Sequence, residues 1–392
     1  MSWNDDITYA MTPLKLLTLP LGVWPLQKYN TFSIVRSFVC GFCMITMIFV
    51  LFLEINFGTS NAYVKLDALM IMFCNILCVL KLISFRIYAD NLTRNFSSAV
   101  KDYLAIDNEG KRTIMRRHAF MGRMICYSIV LFAYIASLIF TLAPIIAGDG
   151  EDIQVNVTIK NQASELPIPV TFLGDLQLPT SVFFTISMMQ LFILMLTATG
   201  NCGNDSLFLA IVLHVCGQME LLKMEFVKHD TTKKDVNKNF IVLASRHCYL
   251  MEHAELLANV ISFVLLVQVL ISCLIISFIG FQLILALKAH DAVMIIKTIT
   301  VLSTLLLQLF YYSFASDYLK CQMEDIADSI YSSNWYCLPT TLMWNVLFVI
   351  MRSQQPVQLL AGKFLIVNIK TFMNILKSSL SYLSVLRVMV DA

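Results

Sequence analysis

Seven apolar stretches long enough to cross a bilayer constrain this chain more than any other feature of its sequence. A helix needs about 20 mostly apolar residues to span ~30 Å of hydrocarbon. Residues 33–53, 66–85, 125–147, 182–213, 258–287, 293–314 and 364–389 meet that requirement. Backbone groups in hydrocarbon must be satisfied within the segment, so such runs fold as helices. The fourth and fifth are long enough to continue beyond the membrane. The expected fold is an all-α membrane protein of seven transmembrane helices, forming one transmembrane domain over residues 1–392. Composition agrees, with 58% of residues hydrophobic and 14% charged, against about 45–50% and 25% in soluble domains. No repeat and no Gly/Ser- or Pro-rich linker divides the chain. A net charge of +2 without any basic block argues against a nucleic-acid partner.

Basic residues set the expected orientation. The second connection carries Arg86, Arg94, Lys101, Lys111, Arg112, Arg116, Arg117 and Arg123; the fourth carries Lys223, Lys228, Lys233, Lys234, Lys238 and Arg246. The third is acidic, with Asp149, Glu151, Asp152, Glu165 and Asp175. Cytosolic basic connections place the N-terminus inside and the C-terminus outside, opposite to a G-protein-coupled receptor. Sequons begin at Asn91, Asn95 and Asn156, and under this topology only Asn156 is lumenal and open to glycosylation. Residues 1–30 lack a signal-peptide pattern, because Asp5 and Asp6 come early and Pro13, Pro20 and Pro25 interrupt the apolar residues. The eleven cysteines read as buried or reduced thiols rather than a disulfide framework.

No H-E-x-x-H, G-x-S-x-G or G-x-x-x-x-G-K-[ST] pattern occurs, so neither an enzyme nor a cofactor is expected. His247 and His253 are six residues apart, on different helical faces. A solvated helix end suits them better than a metal site. Arg36, Lys81 and Lys297 lie near the ends of spans, where long cationic side chains snorkel to headgroups; Lys297 is also close to an outer vestibule.

The C-terminal third carries the sharpest motifs. It holds Trp335, the segment Arg352-Ser353-Gln354-Gln355-Pro356, and Ala361-Gly362-Lys363-Phe364. It then closes with Thr371-Phe372-Met373-Asn374-Ile375-Leu376 and a terminal Ser381-Tyr382-Leu383 run. In order and spacing this resembles the end of insect odorant receptors: a Trp, R-x-Q-x-P, A-G-x-F, T-F-x-x-I-L and S-Y-hydrophobic. Related gustatory receptors end in T-Y-x(5)-Q-F, which Ser381-Tyr382 and Leu386-Arg387-Val388 do not match. The family's shared co-receptor carries a long insertion before the fifth span, absent from residues 218–257, so the chain resembles a ligand-tuning subunit.

The resemblance implies a heterotetramer with that co-receptor around one pore, in the plasma membrane of olfactory sensory neuron dendrites. It also implies an intracellular anchor region over residues 315–363 and a small volatile odorant bound in the outer half of the helix bundle. On the seventh span Ser378, Ser381 or Tyr382, Val385 and Met389 share one helical face, a polar stripe ending in apolar residues. The family's gate residues carry over onto Val385 and Met389, while Arg387 lies off this face and does not suit a cation path. The last span also holds Lys370, Asn374, Lys377, Ser378, Ser379 and Ser381, a polar load that suits a helix facing protein or water.

An apolar odorant calls for an aromatic and aliphatic cavity with few polar groups. The candidate walls are Met70 and Phe73 on the second span, and Tyr134, Ile135 and Leu138 on the third. On the fourth they are Phe184, Ser187, Met188 and Leu191; on the sixth, Thr298 and Val301. The alternative at each position is ordinary helix packing. The aromatic candidates favour a small aromatic or heteroaromatic volatile. The competing functions are a G-protein-coupled chemoreceptor, opposed by the charge bias, and a gustatory channel of the same fold; a transporter would need duplicated halves that are not seen.

Overall fold

The computed structural model describes residues 3–58, 62–149, 166, 168, 170–171, 179–228 and 236–391. These form ten α-helices: α1 Trp3–Thr18, α2 Thr31–Phe57, α3 Ala62–Ile87, α4 Ala89–Leu104, α5 Glu109–Asp149, α6 Thr180–Val227, α7 Val236–Ala289, α8 Ala292–Tyr331, α9 Thr340–Ser353 and α10 Ile369–Asp391. A 3-10 turn at Trp335–Cys337 and a hairpin of β1 Leu360–Ala361 with β2 Leu365–Ile366 complete them. Helices α2, α3, α5, α6, α7 and α8 are long and apolar enough to cross a membrane, and α10 is the seventh long helix of the bundle. The chain has a seven-transmembrane fold.

Local chemistry sets the helix starts. Asn30 Oδ1 accepts from Ser33 N at 3.1 Å at the start of α2, and Asp291 Oδ1 does the same for Met294 N ahead of α8. Asn368 Oδ1 accepts from Thr371 N at 2.7 Å to start α10. The expected last span therefore begins at Ile369 rather than residue 364, because residues 364–368 hold the second hairpin strand and this cap. Hydropathy registers neither feature. In the hairpin turn Gly362 takes φ +62° and Lys363 φ +67°. Gly362 N donates to Ser262 O at 2.9 Å, and a Cβ there would meet Leu266 at 2.7 Å. The A-G-x-F segment thus docks the start of α10 against α7, and only glycine fits the approach.

Helix α6 is the axis of the bundle and packs on α5, α8, α3, α7 and α1. From Cys202 to Met219 every side chain but Ala210 is buried. At Gly200 a Cβ would lie 2.3 Å from Cys78 Sγ, so the Cys78 side chain of α3 rests directly on the α6 backbone. Outward from this core α2, α5 and α6 present Phe42, Phe49, Leu131, Ile135, Phe184 and Phe192 to the surroundings, as hydrocarbon contact requires.

Among the described residues, the basic residues that set the orientation gather at one end, where α1 and α4 pack beside α5 and α6. Arg112 pairs with Asp6 of α1, and Arg123 donates to Tyr9 O at 2.7 Å. Arg117 meets Glu220 at 2.5 Å, Lys223 meets Asp325 at 3.0 Å and Arg246 meets Asp102 at 2.7 Å. One expectation fails here. His247 and His253 are buried, not solvated: His247 Nε2 lies 3.2 Å from Ser353 Oγ of α9, and His253 Nδ1 3.0 Å from Asn95 Oδ1 of α4. Both histidines precede the apolar part of α7, and hydropathy could not register that α4 and α9 cover it. All eleven cysteines are free.

Candidate functional site

A cavity of about 150 Å³ opens inside the bundle between α3, α5, α6, α7 and α8. Helix α3 contributes Met70, Ile71, Cys74 and Leu77; α5 contributes Ile129, Ala133, Ala136, Ser137 and Phe140. Helix α6 adds Leu194, Thr197, Ala198, Asn201 and Cys202, while Ile275 of α7 and Val301, Thr304, Leu305 and Gln308 of α8 close it. The wall is mostly aliphatic because small residues on α5 and α6 (Ala133, Ala136, Ala198) leave room their larger neighbours fill elsewhere. At the end away from the basic residues, Phe140 is both a wall and a platform. Lys297 Nζ sits 4.7 Å from its ring centroid and pairs with Asp67, which also accepts from Gln282 at 2.7 Å.

Behind Gln308 lies a buried polar network. Lys81 Nζ meets Asp205 Oδ1 at 2.5 Å, with both side chains 1% exposed. Gln308 Nε2 and Tyr312 Oη donate to the same carboxylate, and Gln268 Nε2 donates to Gln308 Oε1 at 3.2 Å. A buried charge persists only when paired and hydrogen-bonded, and Asp205 has a cation and two donors. Lys81 therefore does not snorkel: it points inward, because Asp205 stands in the middle of an apolar span. A turn further along α8, Leu309, Tyr312 and Ser313 face the last helix, where they line a small gap with Thr371, Phe372 and Ile375 of α10. Helix α8 thus stands between cavity and α10, touching both.

On α10, Phe372, Ile375, Leu376 and Ser379 turn toward the chain's own bundle, while Asn374, Lys377, Ser378, Ser381 and Tyr382 are exposed. The exposed set recurs at helical spacing, a polar face with no partner within this chain among the described residues.

The sequence profile of the 7tm odorant receptor family matches residues 61–380. The chain belongs to the insect odorant receptor family. Odorant receptor 2a of Drosophila melanogaster is 22% identical over 57% of this receptor and 59% of its own length, so that match spans less than two thirds of the relative. Odorant receptor 10 of Aedes albopictus is 21% identical over 87% of this receptor and 88% of its own length. The insect olfactory receptor OR5 from Machilis hrabei, solved in complex with eugenol, superposes with a TM-score of 0.79 at 14% identity, covering 97% of this receptor and 99% of that chain. At that identity the likeness establishes the fold.

Of the residues expected to hold ligand, Met70 and Val301 line the cavity. Phe73 lies beside it, stacked on Phe278 at 6.3 Å. Tyr134 turns to α6, its hydroxyl 2.8 Å from Thr199, and Ile135 and Leu138 face outward. Phe184 and Met188 are also exposed, Ser187 is buried and Leu191 half-buried. These four lie nearer the start of α6 than the lining residues 194–202. Thr298 donates to Met294 O within α8. That the cavity leaves out the residues named on α5 and α6 has one cause. Both helices are apolar on lipid and protein faces alike, so hydropathy does not fix which side turns inward. Asp205 was missed as well, although an ionisable residue in the middle of an apolar span marks a site worth attention. For the expected pore set, Ser378, Ser381 and Tyr382 fall on the exposed face of α10. The side chains of Val385 and Met389 lie outside the described residues, as does Asn156.

Proposed function

We propose that this receptor is the odorant-binding, ligand-tuning subunit of a heteromeric cation channel, partnered by the odorant receptor co-receptor in the plasma membrane of olfactory neurons. The cavity carries the reading: a mostly apolar chamber inside the bundle, with few polar groups, suits a small volatile. Helix α8 supplies the coupling. Its Val301, Thr304, Leu305 and Gln308 meet the ligand, while Leu309, Tyr312 and Ser313 meet α10. A ligand that fits the cavity better in one position of α8 shifts α10 with it, and only such differential fit can move the equilibrium.

The exposed polar face of α10, with Ser378, Ser381 and Tyr382, supports a role in lining a shared non-selective pore, with Val385 and Met389 as its gate. Helix α9 leaves Trp344, Leu347, Phe348 and Met351 exposed at helical spacing, an apolar stripe suited to subunit contact within an intracellular anchor of residues 315–363.

Whole-cell current from cells expressing the receptor with and without the co-receptor, with G-protein signalling blocked, tests this. Rapid odorant-evoked cation current only on co-expression is expected. A second-messenger response that needs no co-receptor and vanishes under the block would replace the channel with a G-protein-coupled mechanism.

A further inference from the structure

One carboxylate joins the cavity to the gap that α8 shares with α10. Asp205 presents its two oxygens to different places. Oδ2 accepts from Gln308 Nε2, and Gln308 belongs to the cavity wall. Oδ1 accepts from Tyr312 Oη and pairs with Lys81 Nζ at 2.5 Å. Tyr312 is outside that wall: it lines the gap with Thr371, Phe372 and Ile375 of α10, and its ring stacks on Phe208 of α6 at 5.7 Å. Gln308 is held at its other end too, since its Oε1 accepts from Gln268 of α7 at 3.2 Å. On the neighbouring turns of α8 the polar side chains behave differently. Thr298, Thr300, Ser303 and Thr304 each donate to a carbonyl of α8 itself, whereas Gln308 and Tyr312 reach across to α6.

A carboxylate is planar, so its two oxygens move as one body. A guest that displaces the Gln308 amide draws Oδ2 with it, because a buried carboxylate gives up a donor only at a cost. Oδ1 then turns against the Tyr312 hydroxyl, and the ring beside α10 follows. Lys81 permits the turn, since its ammonium has three donors on a flexible stem. We propose that Asp205 couples odorant binding to α10, as a positioning residue that carries a displacement of Gln308 to Tyr312 through two hydrogen bonds. The inference rests on the proposed odorant-gated channel. Asp205 itself lines neither the cavity nor the gap, so its loss changes the response to odorant rather than the binding of it. A shift of α8 as a whole would need no Tyr312 hydroxyl; the relay does.

Tyr312→Phe tests this most directly, since it removes only a hydroxyl outside the cavity wall. Toluene, phenol, benzaldehyde and anisole serve as probes, because an apolar cavity of about 150 Å³ takes a benzene-sized guest. Binding midpoints are read from melting-temperature shifts of the purified full-length receptor in lipid nanodiscs. Current, scaled to receptor at the surface, is recorded from cells co-expressing the co-receptor. In Tyr312→Phe the binding midpoint should stay within about twofold while saturating current falls about tenfold, the size of a coupling carried by one bond to a charged group. Lys81→Met with Asp205→Leu replaces the pair by apolar residues, which buried pairs often tolerate, and should show the same split. Lys81→Met with Asp205→Asn keeps an oxygen for Tyr312 and should recover most of the current. Adding Tyr312→Phe to the leucine pair should cost nothing further, because the hydroxyl has already lost its acceptor. Should the leucine pair not reach the membrane, Tyr312→Phe against the wild type decides alone. Full current in Tyr312→Phe, a loss of binding that matches the loss of current, or a further tenfold fall in the triple variant would overturn the relay and leave the channel standing. A wild-type receptor that binds a probe and passes no current would remove the channel and the relay with it. Binding of none of the four would remove the odorant reading of the cavity, and again the relay.

Discussion

Asp205 shows how one residue commits its surroundings. Removing water from a carboxylate costs several kcal/mol, and the structure answers with Lys81, Gln308 and Tyr312 around it. Breaking such a pair from one side leaves an uncompensated charge. Lys81→Met is therefore expected to cost about 3–5 kcal/mol, read as a drop in melting temperature of the detergent-solubilised receptor. Adding Asp205→Asn removes the stranded charge while keeping an acceptor for Tyr312, so the double variant should recover more than half of that loss. A double variant no more stable than Lys81→Met alone would mean that the pair is not what holds this part of the bundle.

At the scale of elements, the junction of α7 with α9 depends on a neutral histidine. Burial, then the positive charge of Arg352, lower the His247 pKa to about 4, against about 6.5 in an unfolded chain. Burial lowers His118 and His253 in the same direction. Between pH 6.5 and 4 the unfolded state binds the more protons, so stability falls as pH falls through that window. Moving from pH 7 to 5 should cost about 2 kcal/mol at His247. Hydrogen exchange across α9, corrected for the intrinsic rate, should rise accordingly, and His247→Gln should flatten the dependence; an unchanged profile in that variant would place the sensitivity elsewhere. What the sequence made legible divides at the same scale. Residues 33–53 and 258–287 announce α2 and α7 because hydrocarbon tolerates little else. Which side of α5 turns inward is decided by Ala133, Ala136 and Ser137 against α6, a matter of size that hydropathy does not register. The burial of His247 depends on α9, a hundred residues downstream, beyond the reach of any local pattern.

Across the whole molecule the charge asymmetry predicts a direction in the membrane. The described basic residues of the second and fourth connections, α1 with its Asp6–Arg112 pair, and α4 occupy one end of the bundle. Retention of basic segments in the cytosol puts this end inside, and the N-terminal helix with it. Exposed Cys248 and Cys321 lie on α7 and α8 toward that end. A membrane-impermeant maleimide is thus expected to label them only after the plasma membrane is permeabilised. Glycan mapping supplies the complementary side. Asn156→Gln should abolish an endoglycosidase-sensitive mobility shift, whereas Asn91→Gln should leave it intact. Asn95 is closed to modification for a second reason, since its side chain is buried against His253. Labelling of Cys248 on intact cells, or a shift that depends on Asn91, would invert the molecule in the membrane. The open end of α10 would then face the cytosol, and an odorant from outside would reach the cavity past the basic end instead of past Phe140 and Lys297.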